Sequence, residues 1–502
     1  MRRWLPLVAI CLGTFMLLLD VTIVNVALPA MATDLKTAFS SLQWVVDIYA
    51  LVLAALLLSA GSVSDLIGRR LVYLIGLVVF AVSSLVCGIS PNAATLITAR
   101  AVQGIGGAAM FATTVALINS TYSGRDRGTA YGIWGAVSGA AAAAGPIVGG
   151  LLTQHLSWRW IFLVNVPISV VAVVLTLAVL HGGRGEHRAS FDPIGMLTFT
   201  GFAALTTYGF VKAGDDGWLS GTALGCIIAG LVLLVVFVLV ELRIEHPMLD
   251  LHLFRDRRFA GAMLVAFAFS ACAFSYLAYS SIWLQSVLRL TPLQAGLVYL
   301  PLSLMSFFVA AAIGRALHGR DPRFIIAGGM LLIGVGGVLQ AHLGSGSRWG
   351  SLQLGLLVVG LGVGLVSPTL ASSVMGAVPM HRGGMASGGM NTLRQLGFAF
   401  GIAVLGTILQ SRVSTVLDQH QAGTGKLAAA VSGGQTQVIL KTVPPANRDA
   451  ASAAIHAAFA SGLNLIFLLA GVVAIVVGLL TAVLLRPLRE TAPAAQPVAV
   501  AS

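Results

Sequence analysis

Fourteen apolar stretches follow one another along this chain with short gaps between them. They lie at 5–29, 43–63, 71–89, 94–117, 129–152, 160–180, 193–212, 219–241, 259–284, 293–314, 324–343, 351–376, 385–410 and 453–485. About 20 apolar residues cross a bilayer core as a helix. Inside hydrocarbon the backbone satisfies its own hydrogen bonds only as a helix or a closed barrel. The pattern therefore predicts an all-α membrane protein with 14 transmembrane helices. Charged residues make up only 9% of the 502, against about a quarter in a soluble domain. The start, Met1-Arg2-Arg3 before an apolar run, has the form of a secretory leader. The run is too long for one and is interrupted by Asp20, so it is read as a retained first helix.

The 29 lysines and arginines orient the helices. With the N-terminus cytoplasmic, 18 of them fall on the cytoplasmic side, from Arg2, Arg3, Arg69 and Arg70 through Arg382 to Arg489. Only five (Lys36, Arg159, Lys212, Arg289 and Arg348) fall in short outer loops. That asymmetry predicts both termini inside. It also argues against nucleic acid as a partner, because the cations behind the net charge of +12 are dispersed among loops rather than gathered on one face. Cys11, Cys87, Cys226 and Cys272 all lie in apolar segments, so no disulfide framework is expected. The stretch 411–452 is the one long polar segment. It is read as a long extracytoplasmic loop, flexible or folded as a hairpin on the membrane face. The tail 491–502 is expected to be disordered.

An internal repeat is visible. Arg127-Gly128 opens the fifth segment ahead of Gly132, Gly135 and Gly139, and Arg382-Gly383 opens the thirteenth ahead of Gly388, Gly389 and Gly397. Gly61…Gly68-Arg69 after the second segment has a degraded counterpart in Gly314…Gly319-Arg320 after the tenth. Setting aside the seventh and eighth segments leaves six plus six. The expected organisation is a six-helix bundle over 1–190, two linker helices over 191–242 and a second six-helix bundle over 243–490. Two halves related in this way make a rocking transporter with its site near the midplane.

Ionisable side chains at membrane depth are costly and mark function. Asp20 lies mid-way through the first helix, followed by Asn25 and Pro29. Arg100 lies in the fourth, within Arg100-Ala-Val-Gln103-Gly104. Counted from the outer ends of their helices, the two differ in depth by only about 4 Å. They are therefore expected to pair, either as a fixed structural contact or as a switch in which loss of Arg100 lets Asp20 take a proton. Asp47 on the second helix is shallower. The loop Gly61-Ser-Val-Ser-Asp65-Leu-Ile-Gly68-Arg69-Arg70 reads equally as an ordinary positive-inside loop or as a salt-bridged gate. The fifth helix ends in Gly145-Pro146-Ile-Val-Gly149-Gly150, which suits close helix packing and a bend. In the thirteenth, Asn391 and Arg394 lie at depth, and Arg394 is open to substrate contact or to structural pairing.

Together these residues resemble one family. Leu19-Asp20-Val-Thr22-Ile23-Val-Asn25-Val-Ala-Leu28-Pro29 is similar to the first-helix signature of the fourteen-helix drug:proton antiporters of the major facilitator superfamily, and the later blocks follow in that family's order. The resemblance implies the major facilitator fold and proton-coupled export of lipophilic, often cationic, drugs or antibiotics. It implies Asp20 as protonation site, Arg100 as its modulator, and Asp65 with Arg69 at an inner gate. Leu66 departs from the pattern, which usually places a basic residue there. The only acids clearly within spans are Asp20 and Asp47, with Glu241 at a helix end, so dications are poorly provided for.

The leading expectation is a proton-coupled antiporter in a bacterial inner membrane, acting as a single chain on small amphipathic, drug-like substrates. Coupling residues are Asp20, Arg100 and Asp47; candidate substrate contacts are Asn25, Trp44, Gln103, Asn165, Tyr276, Asn391 and Arg394. The alternative is a dedicated exporter of one endogenous metabolite or lipid-like product. No P-loop, metal-ligand spacing or nucleophile–base constellation occurs, so neither an enzyme nor a cofactor is expected and the proton gradient is the energy source. A channel or receptor would not need the twofold repeat.

Overall fold

The computed structural model describes residues 2–35, 39–180, 192–244, 247–316, 321–419 and 425–484. The first group of helices comprises α1 (Leu5–Asp34), α2 (Phe39–Ile67), α3 (Arg69–Gly88), α4 (Ala93–Thr121), α5 (Gly124–His155), α6 (Trp160–Leu163) and α7 (Asn165–Val179). A pair follows, α8 (Pro193–Asp216) and α9 (Gly221–Glu241). The second group runs α10 (Arg257–Ala273), α11 (Ser275–Ile282), α12 (Pro292–Val298), α13 (Leu300–Ala316), α14 (Pro322–Gln340), α15 (Gln353–Gly376) and α16 (Gly383–Gln419), then the short α17 (Gly425–Ser432) and α18 (Thr436–Thr442), and α19 (Arg448–Leu484). Polar caps start several of them. Asn92 accepts from the Thr95 amide, and Thr291 forms a reciprocal capping box with Gln294.

Among the described residues, 12 helices are long and apolar enough to cross a membrane, and 13 if the bent pair α12–α13 counts as one span. The chain is a multi-pass membrane protein. The remaining expected span, 129–152, lies in α5, a continuous helix of 32 residues, which is long enough to cross. Two breaks have a covalent cause. Pro167 cannot donate to the carbonyl four residues back, and the helix interrupts at Val164. Pro301 has the same effect at Tyr299, where the chain bends by 43°.

Within the first group α1 packs on α5 and α7, and α4 on α2 and α3. In the second, α14 packs on α15 and α19, and α10 on α16. The groups meet along α2–α16 and α5–α13. Missing side chains make the first seam possible: a Cβ on Gly61 would stand 2.2 Å from the Gly384 carbonyl oxygen, and one on Gly388 2.5 Å from that of Leu57. Helix α8 leans on both groups. Its Thr200 hydroxyl meets Ser59 at 3.0 Å, Tyr208 stacks on Trp44, and Trp218, just past its end, donates to Thr407 at 2.8 Å.

The stretch 411–452 is not a long loop where it is described. Helix α16 continues to Gln419, α17 and α18 follow, and α19 begins at Arg448. Buried Ala428, Val431 and Leu440 seat the short helices, and Gln437 donates to the Ser286 carbonyl at 2.8 Å. Residues 420–424 of that stretch, the tail 491–502 and the repeat element Gly319-Arg320 lie outside the described residues.

A close seam inside the second group joins α14 to α19. A Cβ on Gly334 would fall 2.4 Å from Ile475 Cγ1 and 2.6 Å from the Gly471 carbonyl oxygen. Gly334→Val should therefore cost about 1–3 kcal/mol by overpacking and lower the thermal midpoint in detergent. An unchanged midpoint would contradict this packing.

Candidate functional site

Asp20 is wholly buried, and the chain surrounds it with donors. Arg100 on α4 donates through Nη1 to Asp20 Oδ2. Gln103, one turn on, donates to Asp20 Oδ1 at 3.1 Å, and Asn165 at the start of α7 donates to the same oxygen at 3.2 Å. The donors are themselves held. Arg100 Nη1 also reaches Gln103 Oε1 at 2.7 Å, its Nε donates to the Val45 carbonyl at 2.9 Å, and its guanidinium lies 4.1 Å from the ring centre of Tyr49. Gln103 Nε2 also donates to Ser84 Oγ at 2.8 Å. Arg100 and Asn165 are each 1% exposed, and Asp20 and Gln103 not at all. The expected Asp20–Arg100 pair is thus present, and Gln103 and Asn165, expected as substrate contacts, belong to it.

The Gly145 motif seats the helix that carries the acid. A Cβ on Gly145 would overlap Thr22 Oγ1, and one on Gly149 would lie 2.8 Å from Ile23 Cγ1. These two glycines grip the turn of α1 immediately after Asp20. Gly150 faces Leu293 at ordinary contact distance. The side chains of Pro146 and Asn25 lie outside the described residues.

At the far end of α2, Asp65 joins the two groups of helices. Its Oδ1 accepts from Arg69 Nη2 and from the Gly384 amide, both at 2.9 Å, and its Oδ2 from the Met385 amide at 2.9 Å. A carboxylate on the first turn of α16 is favourable because that turn exposes unpaired amides and the positive end of the helix dipole. Arg69 also donates to the Met380 carbonyl. Gly68 opens α3 at φ 107°, a conformation that favours glycine. Arg70, expected beside Arg69 in the gate, instead donates to the Leu177 carbonyl at the end of α7.

The remaining candidates separate. Asp47 is partly exposed, on the side of α2 away from Val45. Trp44 stacks on Tyr208 of α8. Tyr276 is buried in the second group against Phe467, with its hydroxyl 3.4 Å from Gln340 Nε2. Asn391 reaches across the seam to the Phe111 carbonyl at 3.4 Å. Arg394 lies over the ring of Phe269.

Two acid sites escape sequence reading. Asp192, the cap of α8, and Glu241, at the end of α9, are buried together, and an oxygen of each lies within 3 Å of the point a Gly195 Cβ would occupy. Asp250 accepts from Arg382, just before α16, and from the His252 amide at 3.0 Å. It continues the chain of contacts Asp65–Arg69–Met380 across the start of that helix. Asp192 and Asp250 sit in connecting segments, where no apolar periodicity marks them, and Glu241 is the last residue of α9.

The Major Facilitator Superfamily family model matches residues 10–402. The chain belongs to the major facilitator superfamily. A multidrug resistance protein, Stp, of Mycobacterium tuberculosis (strain CDC 1551 / Oshkosh) is 36% identical over 83% of this chain and 78% of that protein. The tetracenomycin C resistance and export protein of Streptomyces glaucescens is 32% identical over 95% of this chain and 90% of that protein. Among solved structures, the human organic anion transporter MFSD10 (TETRAN) superposes with a TM-score of 0.63, covering 94% of this chain and 99% of that one at 18% identity, which shows the superfamily fold.

Asp250 gives this superfamily member a pH-dependent contact outside its spans. Burial alone would raise its carboxyl, but the His252 amide and the Arg382 guanidinium outweigh burial and hold it below the usual carboxylate range. The clamp's contribution is therefore complete above the unfolded pKa of about 4. It is lost as pH falls through the depressed folded value. Asp250→Asn should raise amide exchange over 380–384 about 2–5-fold at neutral pH, the range for a part-exposed pair. It should also remove the acid-side rise seen in the wild type. Equal exchange in both proteins would show that Arg382 is held by something else.

Proposed function

We propose that this chain exports lipophilic small molecules in exchange for protons by alternating access. The observation that carries the reading is the sealed carboxylate Asp20, with Arg100 on one oxygen and Gln103 and Asn165 on the other. Export relatives at 32% and 36% identity over most of the chain support the cargo class. In this reading Asp20 is the proton carrier. Arg100 holds it ionised in one conformation and moves off it in another, since a buried acid without its cation takes a proton rather than stay charged. Asp65, Arg69 and the start of α16 form the inner gate, closed here, and Gly145 and Gly149 transmit motion of α5 to the turn after Asp20.

The topology we propose has 14 crossings, counting α5 and taking α12–α13 as one, with both termini cytoplasmic in a bacterial inner membrane. The halves are 1–190 and 243–490, with 191–242 as linker helices, in a chain that works as a monomer without a cofactor. A dedicated exporter of one endogenous product is the second reading, favoured by the match to the tetracenomycin C exporter across 95% of the chain. A broad substrate panel separates the two.

Asp20→Asn keeps the shape of the side chain but removes its titration. In proteoliposomes driven by a pH gradient, dye exchange should fall to the level of protein-free vesicles at normal protein yield. Exchange at the wild-type rate would defeat the assignment. Asp47→Asn should retain coupling and shift the substrate range; a loss of coupling equal to that of Asp20→Asn would transfer the role to Asp47.

A further inference from the structure

The chain contains two arginines deep in its spans, and it treats them in opposite ways. Arg100 has a carboxylate, an amide oxygen and a backbone carbonyl as acceptors. Arg394 makes no ion pair among the described residues. Among the described residues its guanidinium lies over the face of Phe269 on α10, 5.4 Å from guanidinium carbon to ring centre. The helix that carries Phe269, α10, holds no acid. From Arg257 to Gly376 the only acid is Asp321, which caps α14 and pairs with Arg323. On its own helix the only acid is Asp418, about 36 Å farther along.

Its position is that of a ligand group. Arg394 lies about 16 Å along α16 from the gate, near mid-membrane. Asn391, one turn nearer the gate, is fully buried where the two groups of helices touch, with its Oδ1 lacking any partner. Arg394 is half-buried. A guanidinium stacked on a ring keeps its N–H edge free, and that edge matches a planar two-oxygen acceptor. Asp20 offers no compensating charge, because Arg100 already neutralises it.

We propose that Arg394 receives the anionic group, a carboxylate or phosphate, of amphipathic substrates. This inference rests on the exporter reading and narrows it: the membrane-depth site of this chain favours acidic amphipaths over the cationic drugs that the family resemblance implies. The anion source is either a soluble amphipath or an anionic lipid headgroup, and the test separates them.

Three dansyl-labelled alkyl probes that differ only in ending in a carboxylate, an amide or a trimethylammonium would be titrated against the full chain in zwitterionic nanodiscs. The wild type should bind the carboxylate at least about ten-fold tighter than the ammonium, as expected for a charge-assisted hydrogen bond. Arg394→Gln should bring that ratio close to one, and Arg394→Lys should keep part of it. A ratio near or below one in the wild type, or an undiminished ratio in Arg394→Gln, would overturn the proposal. A ratio is insensitive to partial misfolding, which lowers all three affinities together. Short-chain phosphatidylglycerol that displaces the carboxylate probe from wild type but not from Arg394→Gln would support the shared chemistry and identify a lipid headgroup as its source; no displacement would identify the soluble amphipath. Gradient-driven uptake of the amide probe by the wild type tests the exporter reading separately. Uptake without charge discrimination sinks only the role of Arg394, whereas no uptake of any probe sinks both.

Discussion

A charge cannot be left bare inside a bilayer, and the arrangement of the first seven helices follows from how Asp20 is covered. Removing a carboxylate from water costs several kcal/mol even after relaxation, and only well-placed donors and an opposite charge return it. Here those groups come from α4 and α7, and they are steadied by Ser84 on α3 and by Val45 and Tyr49 on α2. One carboxylate thereby fixes the mutual placement of five helices. The sixth partner is steric, since Gly145 and Gly149 let α5 close on the turn of α1 that follows the acid.

The contact between the two groups of helices is of another kind. Its polar part is Asp65 on the amides of Gly384 and Met385, with Arg69 bridging to Met380. A carboxylate on a helix N-terminus is worth about 0.3–2 kcal/mol, far less than removing one partner of a buried pair, about 3–5 kcal/mol. Its apolar part includes two close backbone approaches, Gly61 against Gly384 and Gly388 against Leu57. Under the proposed alternating access this is a seam that would open while the interior of each group stays intact.

The pairing of Asp20 with Arg100 was legible in the sequence because helical rise is constant, so residue counts translate into depth. The roles of Gln103 and Asn165 were only half legible: they stood out as polar groups at depth, but which neighbour they serve depends on helix rotation. Trp44 and Tyr276 show the limit for aromatic residues. In an all-apolar helix no periodic pattern tells a cavity wall from a core, and Tyr276 turns out to pack inside its own group of helices. The helical character of 411–452 was hidden for a related reason. Its many alanines favour helix, but its low apolarity suggested a loop, and only tertiary contacts of Ala428, Val431 and Leu440 show what it packs on. Asp192 meets Glu241, and Asp250 meets Arg382, across connections whose path no local signal reveals.

The location of the charges also restricts how coupling can work. Among the described residues every donor to Asp20 belongs to the first group of helices, whereas Arg394 belongs to the second. A proton on the former and a ligand on the latter do not compete for the same atoms. Under the proposed mechanism they act on each other only through the equilibrium between conformations that both groups share, and such linkage is reciprocal: whatever factor protonation takes from ligand affinity, the ligand takes from proton affinity. In that mechanism the α2–α16 seam bears on the equilibrium, because its Asp65 contacts would break as the groups rock. A stronger gate would bias the two conformations so far apart that neither a single proton nor a single ligand could supply the roughly 5.5 kcal/mol needed to reverse a hundred-fold preference.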